Sequence, residues 1–200
     1  MKLFDFDKEI KNEGYTCLCG VDEAGRGPLA GPVVACAIIM REDDIIEEIN
    51  DSKKLSEKKR GMLFDVIKEN ALDISIGIAD EKVIDEINIL NATMKAMNDA
   101  ISGLTHPFDI ALIDGNCSRG IEFYNRCIVK GDANSYNIAA ASIIAKETRD
   151  RYMREIASKY PEYGFDIHKG YGTKSHREAL LKYGPCEIHR KTFLTKILGG

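Results

Sequence analysis

The chain has 200 residues, of which 44% are hydrophobic and 30% are charged, and its formal net charge is −4. This length and composition are ordinary for a soluble globular protein, and they predict one domain with a sizeable core. No apolar run approaches the roughly 20 residues of a membrane helix, so we expect no membrane-spanning segment. The net charge gives no global hint of nucleic-acid binding, although a local basic patch is compatible with it.

The cysteines and the first residues of the chain give information about the cellular compartment. The six cysteines include no Cys-x-x-Cys pair, so a zinc site is not expected, and four of them lie in apolar, strand-like runs. Buried, reduced thiols are the better interpretation, and they are typical of a cytoplasmic protein. Charged residues interrupt residues 1–8, so we expect no signal peptide.

Strands and helices alternate along the chain. Residues 1–14 are either a weakly ordered lead-in or a short helix. Strands are expected at about 15–23, 32–40, 72–79, 109–114 and 125–130. Helices are expected from Ser56 through Ile67, briefly after Asp80, over the stripe from Leu90 to Leu104, at about 138–159 and at 175–183. This mixture predicts an α/β fold with a central sheet in a single domain over residues 1–200.

Four carboxylates share one placement in this scheme. Each lies at the end of a predicted strand and close to a glycine: Asp22, Glu23, Asp114 and Asp132. Functional sites of α/β sheets collect at strand ends, and a set of carboxylates without histidine or cysteine suits Mg²⁺ or Mn²⁺. Aspartates there are often only turn formers, but that alternative explains four together poorly. The set predicts a two-metal site that hydrolyses phosphodiesters.

A glycine-rich loop follows the first carboxylate pair. Gly25 and Gly27 permit close approach of the backbone, and the Arg26 guanidinium between them suits phosphate. Such a loop could contact a ribose 2′-hydroxyl, the group that distinguishes RNA from DNA, although it could also be merely a turn. Tyr171 lies between two glycines and is either an exposed aromatic or, as the residues alone favour, a packed tyrosine.

Several basic residues are candidate phosphate contacts. The run from Lys53 to Arg60 could grip a duplex backbone, although such runs usually form a solvated helix face. The further candidates are Lys146, Lys169, Arg190 and Lys191.

Seven motifs, in order, resemble those of ribonuclease HII, the type 2 ribonuclease H. They include Asp-Glu-Ala-Gly-Arg-Gly at 22–27 and His-Lys-Gly-Tyr-Gly at 168–172, and the full set lies at 22–32, 50–56, 88–94, 112–115, 130–132, 139–143 and 168–172. The resemblance implies a ribonuclease-H-like fold, in which helices flank a central mixed sheet, with a helical C-terminal extension at about 160–200. It also implies an endonuclease that hydrolyses the RNA strand of RNA–DNA hybrids and cuts 5′ of single ribonucleotides in duplex DNA. The products would carry 3′-hydroxyl and 5′-phosphate ends, and the cellular role would be removal of misincorporated ribonucleotides and RNA primers.

The resemblance also implies roles for individual residues. The four carboxylates match the family's Mg²⁺ or Mn²⁺ ligands, and residues 25–27 match its loop that senses the 2′-hydroxyl. Tyr171 matches the tyrosine that stacks on the deoxyribose 3′ of the ribonucleotide, which favours the exposed aromatic after all. Two features depart from the family's pattern: the sequence of residues 134–137 is not the commonest one, and the C-terminus has no clear sliding-clamp motif. We expect a monomer.

Other classes of function remain as alternatives. A two-metal nuclease of related fold acting on DNA is the main one, and a hybrid-binding module that has lost activity is another. A calcium-binding domain is disfavoured because the chain lacks the alternating loop of an EF-hand. Ribonuclease HIII, which carries an extra N-terminal domain, resembles the chain less.

Overall fold

The structure is a computed structural model that describes residues 3–50, 52 and 54–199. Its centre is a mixed five-stranded sheet with the spatial order β3-β2-β1-β4-β5. The strands are β1 (Leu18–Ala24), β2 (Val33–Met40), β3 (Ala71–Ala79), β4 (Ile110–Asp114) and β5 (Asn125–Ile128). Strands β1, β2 and β3 pair antiparallel, whereas β4 runs parallel to both β1 and β5. The predicted sheet and its five strands are confirmed.

Helices cover both faces of the sheet. Eight α-helices are described: α1 (Leu3–Asn12), α2 (Glu57–Asn70), α3 (Glu81–Ser102), α4 (Gly131–Asn134), α5 (Tyr136–Ala157), α6 (Phe165–His168), α7 (Lys174–Tyr183) and α8 (Lys191–Leu198). The apolar residues of α3 pack on one face of β1 and β2, and those of α2 and α5 pack on the other. None of these helices is long and apolar enough to cross a membrane.

Two glycines let the helices approach the sheet closely. A Cβ on Gly20 of β1 would lie 2.2 Å from the carbonyl carbon of Asn137 at the start of α5. A Cβ on Gly77 of β3 would lie 1.9 Å from the carbonyl oxygen of Ala96 in α3. Neither position has room for a larger residue, so both helices rest directly on the strands.

Local sequence signals correctly placed the starts of α2 and α3. Ser56 accepts a hydrogen bond from the Lys59 N–H, and Asp80 accepts one from the Val83 N–H, so both are the N-caps that the sequence predicts. The short and long helices expected after Asp80 form one element, α3, which is kinked at Asn88 (φ 65°). The Asn88 side chain caps the second part by accepting from the Leu90 and Asn91 N–H groups.

The C-terminal extension is helical, as expected. A 3₁₀ turn at Pro161–Tyr163 and helices α6, α7 and α8 pack around Phe165 and Leu180, together with Leu29 and Ala30 from the segment after β1. The expectation of buried cysteines holds for only two of the six: Cys19 and Cys36 are buried, Cys117 is exposed, and the others are half-buried. All six are free thiols.

Candidate active site

Three aspartates converge at one end of the sheet. Asp22, Asp114 and Asp132, which we call the aspartate cluster, each offer a carboxylate oxygen within 4.8 Å of the others. Asp22 lies in β1 and Asp114 ends β4, and because Val21 pairs with Ile113 in parallel register, the next residues of the two strands are neighbours. Asp132 is in the first turn of α4, two residues beyond a loop that leaves β5 at Ile128. The sequence placed Asp132 at a strand end, whereas it lies on a short helix.

Burial and mutual repulsion define the electrostatics of the cluster. Asp22 is 4% exposed, and burial is the largest cause that raises its pKa well above the usual range. The negative charges of Glu23 and Asp114 raise the Asp22 pKa further, while hydrogen bonds from Ser142 and the Glu23 N–H lower it. A divalent cation would relieve this repulsion, and carboxylate oxygens are the ligands that Mg²⁺ and Mn²⁺ prefer. The residues present therefore fit such an ion.

Neighbouring backbone N–H groups and a serine hydroxyl hold the carboxylates of the cluster in place. Asp114 accepts hydrogen bonds from the N–H groups of Gly131 (2.6 Å) and Asp132 (3.4 Å), which ties β4 to α4. The Ser142 hydroxyl, which interacts with Asp22, is itself 2.8 Å from the Ser52 hydroxyl. Sequence reasoning missed both serines as site residues, although each lies within one of the seven motifs.

Glu23 is adjacent to the aspartate cluster but is not a member of it. Successive side chains of a strand point to opposite faces, so Glu23 leaves β1 on the side opposite Asp22. Its carboxylate accepts a hydrogen bond from Arg26 Nη1 at 3.4 Å, and its charge still contributes to the raised pKa of Asp22. The structure thus brings together three of the four predicted ligands directly and places the fourth beside them.

Residues 25–31, which follow β1 and lead towards β2, are called the 25–31 loop. Gly25 has φ 105°, and a Cβ there would lie 2.3 Å from the side chain of Arg149, so only glycine fits. The Arg26 side chain is half exposed. A Cβ at Gly27 would lie 3.7 Å from the ring of Tyr171, so the loop and this tyrosine are neighbours.

Tyr171 presents its ring beside that loop. The residue is 43% exposed, and cations flank the ring: Lys146 Nζ lies 5.7 Å and Arg149 Cζ 6.0 Å from its centroid. The preceding Gly170 has φ 85°, and a Cβ there would lie 2.6 Å from the Ala30 carbonyl oxygen. Close packing of this turn against the 25–31 loop therefore sets the position of the tyrosine.

The basic residues predicted to contact phosphate differ in their exposure. Lys53 lies outside the described residues. Lys146 Nζ is 2.7 Å from the Asp150 carboxylate and remains partly accessible. Lys169 is only 8% exposed, and its ammonium donates to the Asp166 carbonyl oxygen. Arg190 is fully buried, so the expectation that it contacts phosphate is not supported by its position.

Comparisons with known proteins agree with this geometry. A family model described as Ribonuclease HII matches residues 19–196. The chain is 56% identical over 195 residues to "Ribonuclease HII" of Caldicellulosiruptor bescii, covering 98% of this chain and 95% of that protein. The chain belongs to the ribonuclease HII family. Members of this family are endoribonucleases that degrade the RNA of RNA–DNA hybrids.

Solved structures place the fold in the same group. The crystal structure of ribonuclease H2 from Pyrococcus horikoshii OT3 is similar with a TM-score of 0.76 and 29% identity, covering 92% of this chain and 98% of that one. Bst-RNase HIII, solved in complex with Mn²⁺, has a TM-score of 0.74 at 18% identity, covering 91% of this chain and 68% of that one, and shows the fold alone. The ribonuclease-H-like fold expected from the sequence is thereby confirmed.

Proposed function

We propose that this ribonuclease HII family member hydrolyses the RNA strand of hybrids and also cuts 5′ of single ribonucleotides embedded in duplex DNA. The products would carry 3′-hydroxyl and 5′-phosphate ends. The catalytic part of this proposal rests on the mostly buried aspartate cluster, whose three carboxylate oxygens lie within 4.8 Å of one another. Its proposed biological use is the removal of misincorporated ribonucleotides and RNA primers.

We assign metal binding to the aspartate cluster together with Glu23. Burial and then the charges of Glu23 and Asp114 raise the Asp22 pKa, and a bound Mg²⁺ or Mn²⁺ would relieve both costs. Mn²⁺ is the ion in the solved Bst-RNase HIII complex. When bound, the cations would activate the attacking water and neutralise the leaving oxygen. Gly131 and Asp132 orient Asp114 through their N–H groups, and Ser142 orients Asp22.

Substrate selection is assigned to the groups beside the cluster. The glycines of the 25–31 loop allow its backbone to approach a sugar, and a 2′-hydroxyl is the feature that separates RNA from DNA there. The half-exposed ring of Tyr171 offers a flat surface to the neighbouring deoxyribose. Lys146, beside that ring, is a candidate for a phosphate of the same strand. For Lys169, contact with phosphate would require its ammonium to leave the Asp166 carbonyl.

A direct assay compares three labelled duplexes that differ only in sugar content: all DNA, DNA with one ribonucleotide, and a full RNA–DNA hybrid. We expect cleavage of the second and third in Mg²⁺ or Mn²⁺, none of the first, and none of any in EDTA. Mapping the ends of the second product should show a 3′-hydroxyl immediately before the ribonucleotide. Equal cleavage of the all-DNA duplex would support the alternative, a two-metal nuclease that acts on DNA.

A further inference from the structure

Arg190 sits inside the 25–31 loop and not on the surface. It is 0% exposed, and its guanidinium donates four hydrogen bonds, all to backbone carbonyl oxygens of that loop. Nη2 donates to Gly25 (2.6 Å), Nη1 to Arg26 (3.0 Å) and Pro28 (2.8 Å), and Nε to Gly31 (2.9 Å). One side chain from the C-terminal extension therefore holds almost the whole loop.

The backbone around Arg190 completes this attachment. The Arg190 N–H donates to the Leu29 carbonyl at 2.9 Å, and the Gly31 N–H donates to the Ile188 carbonyl at 2.9 Å. Within the part of the chain that the structure describes, no carboxylate lies within ion-pair distance of the guanidinium. Its charge is offset by these carbonyl dipoles, by the Phe193 ring 5.2 Å from Cζ, and by the more distant charges of Asp85 and Glu81. A buried cation without an ion-pair partner is costly, which argues that the carbonyl arrangement itself is what this arginine secures.

The geometry of the peptide unit shows what the arrangement does for substrate. In a trans peptide, the C=O of one residue and the N–H of the next point in opposite directions, and the described residues contain no cis peptide bond. Since the Gly25 and Arg26 carbonyls point inward to the guanidinium, the Arg26 and Gly27 N–H groups point outward. The peptide unit between Pro28 and Leu29 follows the same rule. Its carbonyl accepts a hydrogen bond from Arg190, and its N–H donates in the opposite direction, to the Gly170 carbonyl.

These two outward N–H groups are available to a ligand. Among the described residues, neither the Arg26 nor the Gly27 N–H has a hydrogen-bond acceptor within the protein. Gly27 also lies beside the exposed ring of Tyr171. We propose that Arg190 is a positioning residue that aims the Arg26 and Gly27 N–H groups at the sugar oxygen of the ribonucleotide. This inference rests on the proposed function, because it assigns a cause to the loop's selectivity.

Binding to two matched duplexes tests the proposal. The probes are fluorescent DNA duplexes that are identical except for one 2′-hydroxyl, and anisotropy in Ca²⁺ gives the ratio of their dissociation constants. We expect Arg190→Gln to reduce this ribose preference by about fivefold, the scale of one hydrogen bond, and Arg190→Lys to restore part of it. Mn²⁺ affinity, measured by calorimetry, should stay unchanged because the aspartate cluster does not contact Arg190.

A matched control separates positioning from general loss of stability. The Thr192 hydroxyl donates to the Asp85 carboxylate at 2.6 Å at the start of α8, so Thr192→Val loosens the same helix without changing any charge near the guanidinium. We expect a lower Tm for this variant and an unaltered ribose preference.

The possible failures are distinguishable. If the wild-type protein fails to cleave at the ribonucleotide, the proposed function itself fails. If it cleaves there but binds both duplexes equally, if Arg190→Gln keeps the full wild-type ratio, or if Thr192→Val loses as much, the positioning role is refuted. Should Arg190→Gln not fold, Arg190→Lys becomes the test variant, because it keeps the charge but can reach fewer carbonyls, and the same comparison decides.

Discussion

Replacing Asp22 by asparagine should stabilise the metal-free protein while it abolishes cleavage. Burial and then the charges of Glu23 and Asp114 raise the pKa of Asp22. Asparagine has nearly the same shape, and its carbonyl oxygen can still accept the hydrogen bond that the Glu23 N–H donates at 2.7 Å. The substitution therefore removes a repelling charge and a proposed metal ligand with little change in packing.

The size of the effect follows from the geometry of the cluster. At 4.8 Å, with an effective dielectric constant of ~20, two carboxylates repel by about 3.5 kcal/mol. Protonation of one carboxyl already relieves part of this repulsion, so we expect the free energy of unfolding to rise by about 1–3 kcal/mol. For a domain of this size that corresponds to a Tm higher by about 2–12 °C.

Thermal unfolding in EDTA, repeated with Mn²⁺, is the assay. The wild-type Tm should rise on adding Mn²⁺, because a ligand that binds only the folded state stabilises it, whereas the variant should respond weakly. Asp109→Asn is a control for which we expect the opposite change in Tm. Asp109 accepts hydrogen bonds from the Thr16 and Cys17 N–H groups, which lower its pKa, so its neutralisation should reduce the Tm. An Asp22→Asn protein no more stable than wild type in EDTA would refute the repulsion argument.

Three further predictions concern other parts of the molecule. Tyr171→Ala should slow cleavage at a single embedded ribonucleotide more than on a long hybrid, and equal loss in kcat/KM on both substrates would argue against a junction-reading role. Burial lowers the pKa of His189 from the ordinary 6.5 to about 4. The contribution of neutral His189 to the free energy of unfolding is therefore fully present above pH 6.5 and is lost as the pH falls towards 4. The Tm difference between wild type and His189→Gln should shrink over that range. Gly77→Ala should lower the free energy of unfolding by about 3 kcal/mol or more in a denaturant titration, because the new Cβ would clash with a carbonyl of α3. Gly61→Ala, inside α2, is the control: the Cβ there has room, and the free energy of unfolding should rise by about 1 kcal/mol.

The predictions that succeeded used local signals. Ser56 and Asp80 cap their helices because an N-cap is encoded by a side chain near its own N–H partners. The convergence of Asp22 and Asp114 followed from apolar strands that end in acids, and the parallel register of β1 and β4 makes them neighbours. Asp132 reaches the same place from a helix, because the chain turns after β5 through Lys130 at φ 55°. Nothing in the local pattern marks that turn.

What sequence reasoning missed are contacts between distant segments. Arg190 was expected to be a phosphate contact because a charged residue is normally exposed, yet it is fully buried. Its partners are carbonyl oxygens about 160 positions earlier in the chain, and every residue type has a carbonyl, so the pairing leaves no trace in side-chain identity. A guanidinium that binds backbone can be recognised only after the fold has brought the 25–31 loop and the extension together.

The two halves of the site use buried charge in opposite ways. The aspartate cluster gathers carboxylates, and burial together with neighbouring charges raises the pKa of Asp22, whereas Arg149 and Arg190 are buried cations whose pKa values are lowered by desolvation. Three carbonyls accept from Arg149, including those of Ala30 and Lys169, so this second guanidinium ties the 25–31 loop to the turn that carries Tyr171. Repulsion between the carboxylates of the cluster favours uptake of a cation, while a hydrogen-bonded guanidinium behind the loop favours one fixed backbone geometry. Metal uptake and sugar selection would then be separable by mutation, since each depends on its own set of buried charges.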